Sequence, residues 1–366
     1  MNTQELLNPA TPRPRPVVSF PASQFLQASS ALNVGAISTG LAQLDNAISS
    51  PSTEQLESDI RGIYQGQVTE IFGPPGVGKT SLALNVAINA LQADGNVVWI
   101  DTGSPLPRQR LYDMLQKSIQ DLKSTLTVEE FVKKITHIRA QSLPHLLALL
   151  LHTPSGFPPE GCKLLVIDSA SGPFPSYFPN PTELKSRLAQ SRNPDKAQVQ
   201  WLMNRSSNVT SDLANQLAKL ATTHQMAVLA INQTRTRIRG QPRATLCPVL
   251  SGGSWESSIS TRLVLYRDFA TTETLEGIRF AEVMKRAGKI LSLRLEESIV
   301  PFVIEKDGLR ALDDNTSPRM TAVETEKPQD SSAHRKRKVD EIADSEEDDS
   351  DAEYGWVDDG AGLLEP

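Results

Sequence analysis

The chain has 366 residues, 39% of them hydrophobic and 22% charged, with two cysteines and a formal net charge of −6. That length suits one or two domains, and Cys162 and Cys247 alone exclude a disulfide framework or a cysteine-built metal cluster and fit a reducing compartment. The charge hides an asymmetry: residues 340–366 carry twelve acidic and no basic side chains, which leaves +6 for residues 1–339, a division that accompanies nucleic-acid contact.

No apolar run reaches the about 18 residues that a membrane-spanning helix needs, so no membrane partner is expected. The amino-terminal MNTQELLNPATPRPRP lacks the apolar stretch of a secretory signal. Residues 1–30 are rich in Pro, Ser, Gln and Ala and are expected to be disordered. Residues 37–45, ISTGLAQLD, read as a short strand, a turn and a short helix, and Val68 to Phe72 as a strand. Ser81 to Gly95 has apolar residues at helical spacing and ends on Asp94-Gly95, a helix-stop signal. Val97 to Ile100 and Lys163 to Asp168 read as buried strands, and Ile135 to Ala140 as a further strand. Helices are expected over Pro107 to Lys123, Val128 to Lys134, Leu143 to His152 and Gln198 to His224. Met226 to Asn232 reads as a strand between two long connections, Ser169 to Asp195 and Thr234 to Ser254, whose length marks them as functional loops. Arg262 to Arg267, Ile278 to Met284, Ile290 to Leu295 and Val300 to Glu305 read as late, largely antiparallel strands. From residue 313 to 366 the polar, aperiodic composition predicts disorder.

Strands alternating with helices imply an α/β fold with a mostly parallel central sheet and helices on both faces. Ligands of such sheets gather at the strands' carboxyl ends. Gly78, Asp101, Asp168 and Gln233 all fall just past predicted strand ends.

The central motif is Gly73-Pro74-Pro75-Gly76-Val77-Gly78-Lys79-Thr80, followed by Ser81, which fits the phosphate-binding loop G-x-x-x-x-G-K-[ST]. It lies between a predicted strand and a predicted helix, the context the motif requires. The glycines let backbone N–H groups turn toward phosphate oxygens, and the helix N-terminus adds its dipole. Lys79 is expected on the β- and γ-phosphates of ATP and Thr80 on Mg²⁺. Asp168, at the exit of an apolar strand, fits a carboxylate that holds Mg²⁺ through water; a capping Asp is the plainer alternative.

Residues 234–254 carry Arg235, Arg237, Arg239 and Arg243, and no acidic residue lies between Asp212 and Glu256. Arginines suit phosphate oxygens, so the loop reads as a contact with the backbone of single-stranded DNA, against the alternative of a solvated basic loop. His137, His145, His152 and His224 have no ligand spacing and read as surface or helix-end residues. Trp99 and Trp255 read as structural. His334 to Lys338 forms a compact basic cluster that reads as a signal for the nuclear import machinery, placing the chain in the nucleus, or as a basic patch of a disordered tail.

From residue 37 to 312 the sequence resembles the ATPase core of the RecA-type DNA recombinases, in their eukaryotic branch. The resemblance rests on ISTGLAQLD, GQVTEIFGPPGVGKT, VVWIDT, LLVIDSAS, VLAINQ and GGSWESSISTRLVLYR, in that order. It implies a RecA-like core over residues 31–312, with a first DNA-binding loop in 169–195 and a second in 234–254. It also implies that Gln233 senses the γ-phosphate and that Arg110 contacts adenine. Where the active recombinases have Asp-Thr-Glu-Gly, this chain has Asp101-Thr102-Gly103-Ser104. Gly103 thus takes the place of the carboxylate that polarises the attacking water, no catalytic residue is firm, and hydrolysis is expected to be weak or partner-dependent. Lys285, Arg286 and Lys289 resemble groups that reach a neighbouring subunit's ATP. Phe25 to Ala28 has the family's subunit-linking Phe-x-x-Ala form. These departures are similar to those of the recombinase paralogues, above all fungal mediators. They imply a subunit that pairs with a second paralogue and assists the main recombinase filament on single-stranded DNA. A DNA-dependent ATPase performing strand exchange itself, and a RecA-fold ATPase that does not act on DNA, are the competing readings.

Overall fold

Four largely apolar strands form the parallel centre of one sheet, because strands buried on both faces need no polar alternation. They are β3 (Val68–Phe72), β4 (Asn96–Asp101), β6 (Cys162–Asp168) and β7 (Ala227–Asn232), with the more exposed β5 (Ile135–Arg139) parallel to β4 at the sheet's edge. The structure, a computed structural model, describes residues 35–49, 61–122, 127–178, 196–237, 245–267, 277–291 and 296–312. These belong to one compact unit, Met1–Pro318; a second unit, Arg319–Pro366, lies outside them, as do the Phe25 to Ala28 motif and the His334 to Lys338 cluster.

With β10 (Thr261–Tyr266), β11 (Arg279–Arg286), β13 (Ile299–Glu305) and β14 (Gly308–Ala311), the sheet runs β14-β13-β11-β10-β3-β7-β6-β4-β5. The late strands pair antiparallel with one another, as expected, and the first of them, β10, is also parallel to β3. Of the strand expected over 290–295, β12 (Lys289–Ile290) pairs antiparallel with β11, and residues 292–295 lie outside those described. The fold remains α/β with a large mixed sheet and helices on both faces.

The alternation of side chains along each strand divides the core. Val97, Trp99, Leu164, Val166, Leu229 and Leu263 face α2 (Lys79–Gln92), α3 (Arg108–Leu122) and α4 (Val128–Lys133). Val98, Ile100, Leu165, Ile167, Val228 and Ala230 face α5 (Leu143–Leu151) and the long helix α7 (Lys196–His224). A one-residue slip in any central strand would exchange these two sets. Capping sets the helix starts: Thr127 and Glu130 form a reciprocal capping box on α4, and Ser142 caps α5, with Pro in its first turn.

The ISTGLAQLD segment opens with β1 (Ala36–Ile37), which pairs antiparallel with β2 (Ile63–Tyr64), and is held by hydrogen bonds. The buried Asp45 carboxylate, on α1 (Ala42–Ile48), accepts from Ser38 Oγ at 2.6 Å and from Thr39 N and Oγ1 at 2.8 and 2.6 Å. Asn85 and Asn89 of α2 donate to the carbonyls of Thr39 and Ser38. The segment thereby fixes the back of the helix whose front forms the phosphate loop.

Candidate nucleotide-binding site

The loop between β3 and α2 turns on glycines that no other residue replaces. A Cβ on Gly73 (φ +154°) would lie 2.1 Å from the carbonyl oxygen of Leu265, and one on Gly78 (φ +103°) 2.4 Å from Ile304 Cδ1. Gly78 is also the left-handed N-cap of α2, so the first N–H groups of a 14-residue helix point into the loop. Pro75 and Gly76 are exposed, whereas the Val77 side chain is buried in the core, and Ser81 is buried on α2. Lys79 Nζ donates to the carbonyls of Gly73 and Pro74 at 2.7 and 2.9 Å. Burial lowers the Lys79 pKa, and the Asp168 carboxylate acts against that shift.

Thr80 Oγ1, one residue on, donates to Asp168 Oδ2 at 2.7 Å. Asp168 ends β6 and Asp101 ends β4, and the two are paired in register. Burial raises the Asp168 pKa, the Thr80 hydrogen bond and Lys79 oppose it, and the neighbouring Asp101 adds to it. Asp101 is fully buried. Its Oδ2 meets His137 Nε2 of β5, while Oδ1 has no hydrogen-bond partner and lies 3.6 Å from Arg139 Nε. His137 is thus a strand residue at the edge of the site, not a surface or helix-end histidine. Among the described residues no cluster of three or more His, Cys, Asp or Glu could hold a metal. That leaves Thr80 and Asp168, which suit an ion that keeps most of its own water.

Gly103 is exposed two residues beyond β4, and a Cβ built there meets nothing within 4 Å. Thr102 is fixed behind it: its Oγ1 donates to the Ser169 carbonyl at 2.7 Å and accepts from Ser169 N at 3.0 Å.

Arg110, on α3, lines an open cleft of about 460 Å³ with Pro107, Arg108, Gln109, Asp113 and Lys306. It donates to the Glu305 carbonyl at 3.1 Å, and burial lowers its pKa. Two arginines that the sequence showed only as strand ends lie against the phosphate loop. Arg267 donates to the Gly76 carbonyl at 2.9 Å, and Arg279 Cδ lies 3.6 Å from a Cβ built on Gly78. Burial lowers the Arg279 pKa, with Arg267 and Arg110 adding to the shift. The outer side of the loop is therefore strongly cationic.

Gln233 joins this site to the second loop. Its backbone N–H donates to Ser171 Oγ at 2.8 Å, its Nε2 reaches Ser169 Oγ at 3.4 Å, and its carbonyl accepts from Val249 N at 2.9 Å. The segment expected as a loop over 234–254 begins and ends as an antiparallel hairpin, β8 (Thr234–Arg237) with β9 (Thr245–Pro248), followed by α8 (Gly253–Ser258). The β-branched Thr234 and Thr236, alternating with arginines, suit a strand as well as a loop. Arg235 is exposed and reaches Ser251 Oγ at 3.5 Å, and Arg237 ends β8; Arg239 and Arg243 lie outside the described residues.

The hairpin is rooted in a buried polar network. Asn232 Nδ2 donates to Glu70 Oε1 at 2.7 Å and to the Leu250 carbonyl at 2.9 Å, while Leu250 N donates to Asn232 Oδ1 at 3.2 Å. Trp255 Nε1 donates to Glu70 Oε1 at 2.9 Å, and Arg262 bridges Glu70 Oε2 and both oxygens of Glu256. Burial opposes the charge on Arg262, but the two carboxylates outweigh it and raise its pKa. Lys285 donates to the Glu256 carbonyl, and Arg286 to the carbonyls of Ala47 and Ser49 at 3.2 Å each. Both side chains thus bond within the single chain, and Lys289 is exposed on β12.

Comparison with known proteins agrees with this geometry. A family model described as Rad51 matches residues 34–267. The chain is similar to the DNA repair protein rhp55 of Schizosaccharomyces pombe, with 25% identity over 59% of this chain and 72% of that protein. It is also similar to DNA repair protein RAD51 homolog 3 of Cricetulus griseus, with 26% identity over 68% of this chain and 64% of the relative. Similarity to DNA repair protein RAD51 homolog 4 of Bos taurus reaches 29% identity, over 63% of this chain and 60% of the relative. The matches to the last two proteins span just under two thirds of their length.

Proposed function

The chain belongs to the Rad51 family, and from that premise we propose that it is an ATP-binding recombination mediator of DNA double-strand break repair. It pairs with a second paralogue and assists assembly or stability of the main recombinase filament on single-stranded DNA. Proteins of this family bind ATP, generally with Mg²⁺. The residues here fit both. The loop is open at Gly76, where a Cβ meets nothing within 4 Å, and Lys79 lies on the loop's own carbonyls, where it can exchange them for phosphate oxygens. Thr80 and Asp168 are close enough to share one Mg²⁺ coordination shell, the hydroxyl directly and the carboxylate through water. Bound Mg²⁺ would neutralise phosphate charge and relieve the cost of burying Asp168. Arg110 and its cleft lie where the nucleoside would rest. With Gly103 in place of a carboxylate, the chain holds nucleotide rather than turning it over rapidly. The His334 to Lys338 cluster supports action in the nucleus, through the import machinery.

The observation that carries the reading is the junction at Gln233. One residue touches Ser169 and Ser171, just past Asp168, and closes the base of the arginine hairpin. A change at the γ-phosphate thus reaches the proposed DNA contact through hydrogen bonds alone. Replacing Arg235, Arg237, Arg239 and Arg243 together by Ala is expected to flatten the salt dependence of single-strand binding. The slope should fall by roughly 0.7 for each phosphate contact removed. Fluorescence anisotropy with a labelled oligonucleotide over a range of salt concentrations measures it, and an unchanged slope would sink the DNA assignment. A recombinase in its own right is disfavoured by Gly103, and a RecA-fold ATPase unconnected with DNA by the arginine hairpin.

A further inference from the structure

We propose that Trp201 and Arg205 form a base-stacking platform for single-stranded nucleic acid, carried on the amino-terminal end of α7 just past the first loop region. The proposal rests on the DNA reading above and adds a site to it. Helix α7 spans 29 residues, and the buried residues described on it are Thr210, Leu213, Ala214, Leu217, Leu220 and Ala221, with Val209 partly buried beside them. The turn at Gln225 and Met226 leads straight from α7 into β7, so the helix runs back toward the carboxyl edge of the sheet, and its amino-terminal half lies at that edge. Gln233 and the arginine hairpin leave β7 at the same edge. At about 1.5 Å per residue, Trp201 stands roughly 13 Å along the helix from Thr210.

Three properties suit this end to bases rather than to the core. Trp201 is 57% exposed, the most exposed aromatic among the described residues. The Arg205 guanidinium, one turn on, sits 5.2 Å from the centre of the indole, which orders the ring and leaves cationic charge beside it. Between Asp195 and Asp212 the sequence holds Lys196 and Arg205 and no carboxylate, so nothing on this arm repels phosphate. At the other end of the same connection, Tyr177 closes the short helix α6 (Phe174–Tyr177) and is also exposed. An ordered aromatic ring with an adjacent cation and no acid is the combination that stacks bases without reading their sequence.

The test uses the full-length chain in a Trp356→Phe background. Trp99 and Trp255 are buried, so the fluorescence that a ligand can quench then reports on Trp201. Titration with oligothymidylate at low salt is expected to quench that emission. Trp201→Ala should bind about 5- to 50-fold more weakly, and Trp201→Phe, which keeps a ring, should lose much less. Arg205→Ala should reduce both affinity and quenching. Thermal unfolding of all variants should match the parent, since Trp201 and Arg205 are both exposed. Salt-dependent binding without quenching, with Trp201→Ala unimpaired, overturns the platform and leaves the DNA reading standing. Loss of association with the partner subunit alone, with DNA affinity intact, also overturns it and makes this face a protein contact. Failure of the parent chain to bind single strands at all, alone or with its partner, defeats the DNA reading and the platform together.

Discussion

Replacing Gly103 by Glu raises the ATP turnover of the full-length chain by about 10²-fold or more, the usual worth of a positioned general base. Lys79, Thr80 and Asp168 converge at the ends of β3 and β6, and the backbone before position 103 is fixed by the Thr102–Ser169 hydrogen bonds. Glutamate meets no steric bar, because a Cβ at 103 has nothing within 4 Å and the backbone there is not left-handed. Steady-state phosphate release, with and without single-stranded DNA, checks the prediction. Turnover unchanged by the substitution would mean that the missing carboxylate is not what limits hydrolysis.

The second large effect concerns stability. Glu70→Ala is expected to cost about 3–5 kcal/mol, the range for breaking a buried ion pair by removing one partner. Glu70 is fully buried and receives Asn232, Trp255 and Arg262 at once; its loss strands three donors in the interior. Changing Glu70 and Arg262 together to apolar residues of similar volume should recover much of the loss, since the unpaired charge is then gone. Urea unfolding of the single and double variants measures both. A loss below about 1 kcal/mol for Glu70→Ala would show that the network contributes little. Because Asn232 also ties down Leu250, the single substitution should loosen the hairpin base as well.

What could be read in the sequence was local. The phosphate loop declares itself within eight residues, between a strand and a helix that each carry their own periodicity. The apolar runs ending at Asp101, Asp168 and Asn232 are unambiguous because a strand buried on both faces has no polar positions to confuse the pattern. The rest depends on pairings that periodicity does not encode. Glu70 lies 162 to 192 residues from the groups it binds, so nothing near it in the chain reveals a network. Arg267 and Arg279 end or begin ordinary strands, and they become part of the site only because β10 lies beside β3 and β11 beside β10. His137 looked isolated because its partner, Asp101, sits on the neighbouring strand. The second loop reads as irregular because Gly, Pro and Arg dominate its middle, whereas its ends pair as strands. The direction in which β10 pairs with β3 has no sequence signal, since its alternation is the same for parallel and antiparallel pairing.

The most direct test of the nucleotide-clamp account is thermal unfolding of the full-length chain with and without ATP–Mg²⁺, beside Lys79→Ala. At about 100 times the dissociation constant, ATP should add roughly 2.7 kcal/mol to the stability of the parent. Lys79→Ala, folded but deprived of its phosphate contact, should show no shift at the same concentration. An unshifted parent, or an equal shift in Lys79→Ala, would contradict the account.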